Sequence, residues 1–599
     1  MQANDTHNTP RTPRGERGGA RMRKPTRVQT RKTDSAMPLD LSTSSGPTRL
    51  RVIPLGGVGE FGRNMMVIEY GKDMVIVDMG LMFPMDNMPG IDYVLPDTTY
   101  VKKNRHKVRG VFITHGHLDH TGALPYLIKD IGNPPVYGTK LTVGMIRDRL
   151  EEFGLERHVR LVEVDPDDIL QLGIFKLSFF RVNHNIPDSV GVAIKTPVGV
   201  IINTGDWKFD HTPQDQRPTE FGKIAKLGAE GVLLLCSDST NAGKPGYAMS
   251  EREIQQNLET VFAKAKGRII IATFASLISR IQQIINAATD LNRKVAISGM
   301  SMEKALATAA RLGFLKIAKG TLIKVDQIHQ YPDNRVIVIS TGSQGQESSS
   351  LGRMSRGEHR HVKLQKGDTI VLSSSPIPGN ERSVMNLMNK LYGLGADVIY
   401  QTLFDVHTSG HAYREEIKLM LGLARPKYFM PIHGERFMQI RNAEVAQQLG
   451  WDDKNIFIMN NGDILEFNQT GQARLSSLKI EIDYIMVDGL GVGDVSDVVI
   501  RDRQVLAQDG MVVVITTLDR EGNIASSPDI ISRGFIYVKN AEQLISAVRS
   551  MAKRIIEQND MKNIENWTSV RNRLRDDIGA FLFQKTEKRP MIIPVIIRV

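Results

Sequence analysis

From Leu50 onward the chain alternates short apolar runs with turn-forming residues. Arg51-Val52-Ile53-Pro54-Leu55 leads into Gly56-Gly57-Val58-Gly59-Glu60-Phe61-Gly62, then Met65-Met66-Val67-Ile68-Glu69-Tyr70 turns at Gly71-Lys72-Asp73 and resumes through Met74-Val75-Ile76-Val77-Asp78. This predicts strand, turn, strand. Gly57, Gly59 and Gly62 match the spacing of a dinucleotide-binding loop, but that loop must open a helix, and here a strand follows it. Val111-Phe112-Ile113-Thr114 is a further short strand, residues 141–153 carry a helical period, and 175–180 and 191–202 read as strands. A new strand–helix series opens at Gly231-Val232-Leu233-Leu234-Leu235-Cys236. Strand candidates there lie at 268–272, 294–298, 335–340 and 369–373, with helices such as 251–265 between them. The regular alternation predicts a second α/β domain. Beyond about residue 480, strands at 511–517 and 591–597, a turn at Glu521-Gly522-Asn523 and helices at 541–556 and 567–582 predict a small α+β domain.

Composition and charge narrow the class. With 599 residues, 41% of them hydrophobic, the chain exceeds one core and is expected to form several domains. No run reaches the ~18 apolar residues of a membrane span and no secretory core opens the chain, so a cytoplasmic protein without membrane contact is expected. The single cysteine, Cys236, excludes a disulfide framework and a thiolate metal cage, so any metal must sit on histidines and carboxylates. Of the net charge of +11, residues 1–48 carry nine Lys/Arg against four acidic residues. Up to about Pro47 this stretch is Arg, Thr, Pro, Gly and Ser with few large apolar residues, and it is expected to be a disordered basic arm. Its charge suits a polyanion such as RNA, or serves solubility alone.

The chemistry is concentrated in Thr114-His115-Gly116-His117-Leu118-Asp119-His120. His115 and His117 alternate by two and face one way on an extended segment, while Asp119 and His120 follow at the start of the next helix. Three imidazoles and a carboxylate crowded without a cation would be costly to desolvate, whereas zinc or manganese accepts them all. Two metals require about seven or eight ligating contacts, so the motif must be completed from elsewhere. His184 follows a strand in Arg181-Val182-Asn183-His184, Asp206 ends Ile201-Ile202-Asn203-Thr204-Gly205-Asp206, and His433 ends Tyr428-Phe429-Met430-Pro431-Ile432-His433. Strand ends can converge on one rim of a sheet. Asp78, also at a strand end, reads as the group that orients one of the histidines.

This pattern resembles the metallo-β-lactamase fold, with Asp78, the cluster at 115–120, His184 and Asp206 in that superfamily's order. The resemblance implies one metal on His115, His117 and His184, a second on Asp119, His120 and His433, and Asp206 bridging them. Asp206 and His433 lie 227 residues apart, so a domain must be inserted between them. The insertion is similar to a β-CASP domain, whose acidic motif looks like Ser237-Asp238-Ser239-Thr240 and whose later histidines map to His411 and His433. The 22-residue step between those two resembles bacterial ribonuclease J, as do Ser340-Thr341-Gly342-Ser343-Gln344-Gly345 and the ending Arg589-Pro590-Met591-Ile592-Ile593-Pro594. The expected fold is α/β: a metallo-β-lactamase αββα sandwich (49–225 and 386–465) with an inserted β-CASP domain (226–385), a linker (466–484) and an α+β C-terminal domain (485–599).

The implied activity is metal-dependent hydrolysis of RNA, 5′-to-3′ and internally, leaving 5′-phosphate ends, in RNA maturation and decay. Asp119, His411 and Asp238 are the catalytic candidates. His411, with Asp238 nearby, is implied to stabilise the phosphate and protonate the leaving group; Asp238 otherwise serves as a polar residue of the domain joint. His407-Thr408-Ser409-Gly410-His411 combines hydroxyls, imidazoles and a glycine that permits close approach, chemistry suited to a phosphate contact. Ser343 and Arg280 are candidates for a pocket taking the 5′ phosphate of RNA with monophosphate ends, a Gly/Ser loop being otherwise a turn. Two divalent cations per subunit, zinc or alternatively manganese, are expected, as are a homodimer or homotetramer through the C-terminal domain and RNA-decay partners such as a helicase or the ribosome. The competing readings are a small-molecule metallohydrolase acting on a thioester or lactone, a metal-binding scaffold in an RNA-degrading assembly, and a β-CASP nuclease acting on DNA.

Overall fold

The computed structural model describes residues 48–377, 379–400, 404–536 and 541–599. The basic arm expected over residues 1–48 lies outside them, save its last position.

Two mixed sheets pack face to face. The first runs Ala473–Lys479, Asp463–Phe467, Leu50–Gly56, Met65–Tyr70, Asp73–Val77, Val108–Phe112, Val136–Gly138, Leu161–Glu163. The second runs Tyr428–Ile432, Val232–Asp238, Val200–Asn203, Val190–Lys195, Phe175–Arg181, Ile169–Leu172. Val52, Ile68, Val75 and Phe112 of one sheet meet Leu177, Phe179, Val192 and Leu234 of the other in a single buried core, with the Phe112 and Phe179 rings stacked at 4.7 Å. On the outer face of the second sheet, a further core around Trp207 and Phe429 takes in Ile224, Ile417, Met420 and Val445 from helices Phe221–Glu230, Arg414–Ala424 and Arg436–Gln448. The Gly-rich loop after Leu50–Gly56 opens no helix. Met65–Tyr70 returns antiparallel to it.

A third sheet is wholly parallel, in the order Leu322–Ile323, Lys294–Ser298, Val336–Ser340, Ile269–Ala272, Thr369–Leu372, Asp397–Tyr400. Its strands are continuous apolar runs because both faces are covered, one around Ile269, Ile284 and Val295, the other around Ile270, Val338 and Leu387. In the C-terminal region, Met511–Leu518 lies between Asp529–Arg533 and Met591–Arg598, and helices Glu542–Glu557 and Asn566–Thr586 bury its inward positions.

Three expected boundaries are corrected. Val232–Asp238 does not open the inserted sheet; it pairs in parallel with Val200–Asn203 and Tyr428–Ile432. Asp397–Tyr400 belongs to the inserted sheet beside Thr369–Leu372, past the expected end at 385. An apolar run buried on both faces reads identically in either sheet, so pattern alone could not assign it. The expected linker at 466–484 contains the edge strand Ala473–Lys479, whose exposed, polar sequence hides its pairing to Asp463–Phe467. The region after 485 is also less separate than expected. Ile485–Asp488 pairs with Tyr93–Leu95, and Ile500 packs on Met82, Met88 and Val94.

Candidate active site

The His cluster grows out of the end of Val108–Phe112. The chain then crosses the rim of the first sheet, extended at His117, and enters the short helix Leu118–Thr121, which carries Asp119 and His120. The turn after Asp73–Val77 is laid directly against it: Met79 donates to the His120 carbonyl at 2.8 Å and Leu81 to that of Leu118 at 3.0 Å. Gly80 permits this contact, since a Cβ there would stand 1.5 Å from the Asp119 carbonyl oxygen. His184, Asp206 and His433 arrive from three strand ends of the second sheet, as expected of residues that converge on one rim.

Two groups of donors overlap at Asp206: His115, His117, His184 and Asp206, and Asp119, His120, Asp206 and His433. His115 Nε2 and His184 Nε2 lie 3.2 and 3.1 Å from His117 Nδ1, and 3.7 and 3.8 Å from Asp206 Oδ2. His120 Nε2 lies 3.4 Å from Asp119 and 3.3 Å from Asp206, and His433 Nδ1 lies 3.5 Å from the other Asp206 oxygen.

The surroundings turn lone pairs inward. His184 Nδ1 donates to the Gly410 carbonyl at 2.7 Å, His120 Nδ1 to Asp78 at 2.8 Å, and His115 Nδ1 to the Thr114 hydroxyl, which itself donates to Asp78. For His115 and His184, Nε2 is left as an acceptor facing other acceptors. Among the described residues, Asp206 Oδ1 is buried without a hydrogen-bond partner. Such a set is repulsive by itself and fits divalent cations. Burial keeps His115 and His184 well below the usual histidine range and takes His117 down to about 4, so they are neutral at pH 7, as ligands must be. Burial would raise Asp206, but His433 and His120 outweigh it and hold the carboxylate ionised. His120 goes the other way, because Asp206, Asp119 and Asp78 outweigh its burial.

Beside this cluster, His411 Nδ1 donates to Asp238 Oδ2 at 2.7 Å and comes within 4.0 Å of Asp206. Thr240 fixes the other Asp238 oxygen through its backbone N–H and hydroxyl, at 2.9 and 2.7 Å. Burial opposes the imidazolium, yet Asp238 overcomes it and pushes His411 up to about 9. Ser409 accepts hydrogen bonds from Asn241 and from the His411 N–H. Gly410 packs so closely that a Cβ would stand 2.5 Å from His184 Nδ1. His407 is buried, its Nδ1 unpartnered among the described residues, and burial brings it down to about 3.

Three expected substrate contacts sit differently. Arg280 departs from expectation: the side chain is 0% exposed, and its guanidinium is taken up by Gln283, Ser373, the Val406 carbonyl and Glu251 at 2.5–3.0 Å. It holds the joint of the inserted domain and offers no open fork to a phosphate. Thr408 is also buried, and its hydroxyl proton goes to the Met249 carbonyl. Ser343 is buried in the loop after Val336–Ser340, between Gly342 and Gly345, where Gln344 pins the neighbouring segment through Ser374 and Ile377. Sequence reasoning missed Asn64, which donates to the Asp119 carbonyl at 2.9 Å and accepts from His433 Nδ1 at 3.0 Å. A lone asparagine in a loop carries no periodic or motif signal.

The fold and the site together define a metal-dependent hydrolase of the metallo-β-lactamase class with a β-CASP insertion. Family models match in order along the chain: a beta-lactamase superfamily domain over 87–229, the ribonuclease J beta-CASP domain over 266–391, a Zn-dependent metallo-hydrolase RNA specificity domain over 395–459 and the ribonuclease J C-terminal domain over 498–599. The chain is 41% identical to Ribonuclease J2 of Bacillus subtilis across 92% of its own length and 99% of that protein's. It is 39% identical to Ribonuclease J 2 of Staphylococcus epidermidis across 91% and 98%. A solved Enterococcus faecalis protein of unknown function shares the fold, with a TM-score of 0.51 at 16% identity, covering 70% of this chain and all of that one. The chain belongs to the ribonuclease J family and is a metal-dependent ribonuclease. Among the described residues, no helix is long and apolar enough to cross a membrane.

Proposed function

We propose that the enzyme cleaves RNA phosphodiesters with two divalent cations, zinc or manganese. One would be held by His115, His117 and His184, the other by Asp119, His120 and His433, with Asp206 shared. The observation that carries this reading is the buried, unpartnered Asp206 oxygen lying between two groups of inward-facing donors. When bound, such a pair supplies charge for the phosphate oxygens and lowers the pKa of water at neutral pH. The chain's own residues do the rest. Asp78, Thr114 and the Gly410 carbonyl orient the imidazoles, and His411, kept protonated by Asp238, gives its proton to the departing 3′ oxygen. The phosphate then stays on the 5′ end of the downstream product. Segment 407–411 borders the cluster through His411 and the Gly410 carbonyl, and its Ser409 and His411 supply the substrate contacts, while the buried Ser343 shapes the loop toward the 5′ end.

This reading includes 5′-to-3′ exonuclease action that favours 5′-monophosphate RNA, internal cleavage, a cytoplasmic role in RNA maturation and decay, and assembly into a homodimer or homotetramer through the C-terminal region. The test uses one sequence as 5′-monophosphate RNA, 5′-triphosphate RNA and DNA, incubated with the wild type and with His117→Ala in zinc or manganese. The monophosphate RNA should shorten from its 5′ end fastest, and His117→Ala should leave it intact. Intact RNA in the wild-type reactions, or equal cleavage by the variant, would overturn the reading.

A further inference from the structure

A cavity of about 360 Å³ opens beside the loop that holds His433. The two are contiguous: His433 N–H donates to the Gly57 carbonyl at 2.8 Å, the Phe61 ring sets its edge to His433, and Gly59 and Glu60 bridge to Glu435 and Gly434. The cavity is lined by Gly59, Arg63, Arg436, Asn460, Asn461 and Tyr484, among others.

Its chemistry is that of a nucleotide site. Tyr484 is 42% exposed, and the Arg63 guanidinium lies 4.4 Å from its ring centroid. Arg63 is itself buried and fixed by Glu60 at 3.0–3.1 Å and by the Leu95 and Asp483 carbonyls. The ring is thus an aromatic plate clamped by an immobile cation, with much of its surface left open to solvent. A solvated tyrosine offers such a plate to a nucleobase, and stacking of this kind tolerates any sequence. The lining also holds a cation with capacity to spare. Glu60 is neutralised by Arg63 and also accepts from Asn461 at 2.8 Å, whereas Arg436 donates to Asn460 and its other N–H groups find no partner among the described residues. The volume falls within the range of small-ligand pockets, roughly 300–1,000 Å³.

We propose that this cavity is a nucleotide subsite, holding one unit of the RNA strand that runs past His433, with its base on Tyr484 and its phosphate on Arg436. The proposal rests on the ribonuclease reading above and extends it to a second place on the strand, outside the metal cluster and the 407–411 segment. The same chemistry would accept a free mononucleotide, which the test separates.

The probe is nuclease-resistant phosphorothioate RNA of increasing length, bound to the metal-loaded full chain and read by fluorescence anisotropy, with AMP as competitor. Wild-type affinity should step up once the strand is long enough to reach the cavity. Tyr484→Ala should weaken the longer RNA by about five- to a hundred-fold and flatten that step, while Tyr484→Phe keeps it. Arg436→Gln, which does not depend on Tyr484 folding correctly, should lower the slope of log affinity against log salt by about one. Variants that bind long RNA as the wild type does would overturn the proposal. So would a wild type without a length step whose RNA is displaced by AMP, because the ligand would then be the free nucleotide. A wild type that binds with a length step but cuts no natural RNA would sink the ribonuclease reading instead.

Discussion

Asp206 and the His411–Asp238 pair do different work with similar groups. Asp206 is buried among imidazoles whose outward nitrogens are hydrogen-bonded to the fold, and its Oδ1 has no hydrogen-bond partner among the described residues, an arrangement that fits a cation. Replacing Asp206 with Ala should strip most of the bound metal, as read by metal analysis of the purified protein, while circular dichroism stays native. His411 is instead held as an acid by a carboxylate that Thr240 locks in place. His411→Ala should slow single-turnover cleavage by about a hundred- to ten-thousand-fold while RNA binding changes only a few-fold. Asp238→Asn should follow it, because the amide no longer holds the proton on the ring. An unchanged cleavage rate in either variant would remove the pair from the chemistry.

Between elements, two joints set the site's precision. The first is the contact of the 407–411 segment with His184, where Gly410 leaves no room for a side chain. Gly410→Ala should displace His184 and cost about a hundred-fold in kcat, with little loss of melting temperature, since positional errors near 1 Å are that expensive. The second joint is ionic. Glu251, at the start of helix Glu251–Lys264, binds Arg280 of helix Ile278–Asp290 at 3.0 Å and lies 3.6 Å from Lys208. Burial would raise the Glu251 carboxyl, but Arg280 and Lys208 outweigh it and bring it from 4.5 to about 2. A depressed carboxyl contributes stability that is present above its unfolded pKa and is lost as pH falls through the folded one. The joint should therefore weaken between about pH 4.5 and pH 2, by a few kcal/mol. Glu251→Gln should destabilise the protein at pH 7 by about 3 kcal/mol, because Arg280 and Lys208 are left buried without their counter-charge. It should also flatten the acid limb of stability against pH. Urea unfolding at several pH values reads both effects.

For the whole molecule, the C-terminal sheet and its two helices own a separate core built from Val512, Val514, Val548, Leu574 and Ile578. Helix Asp497–Asp509 joins this region to the first part of the chain, with Ile500 against Met82 and Met88 and Asp509 accepting from the Arg589 N–H. A chain ending at Asp509 keeps that packing and the Ile485–Asp488 pairing. It should be monomeric by light scattering if the removed region assembles the oligomer, whereas the full chain should be a dimer or tetramer. Ending the chain at Phe467 would be a poorer test, because it strips the edge strand Ala473–Lys479 from the first sheet.

That the site's His and Asp side chains gather on one rim was legible in the sequence because strand ends have a signature: an apolar run that stops near a His or Asp marks where a buried strand reaches the rim. Asp78 and His433 directly follow their strands, and His115, His184 and Asp206 stand three residues past theirs. Period and run length likewise picked out several individual elements, including the helix with Leu141, Val143 and Ile146 buried and the alternating strand Met511–Leu518. Which sheet Val232–Asp238 would join, that Ala473–Lys479 would pair at all, that Arg280 would turn inward and that Asn64 would reach His433 were decided only by the tertiary structure. The physical reason is common to all four. Periodicity reports whether a side chain is buried, through the free energy of removing it from water, but a hydrogen-bond partner in another segment, whether a turn or a whole domain away, leaves no trace in the pattern of either segment.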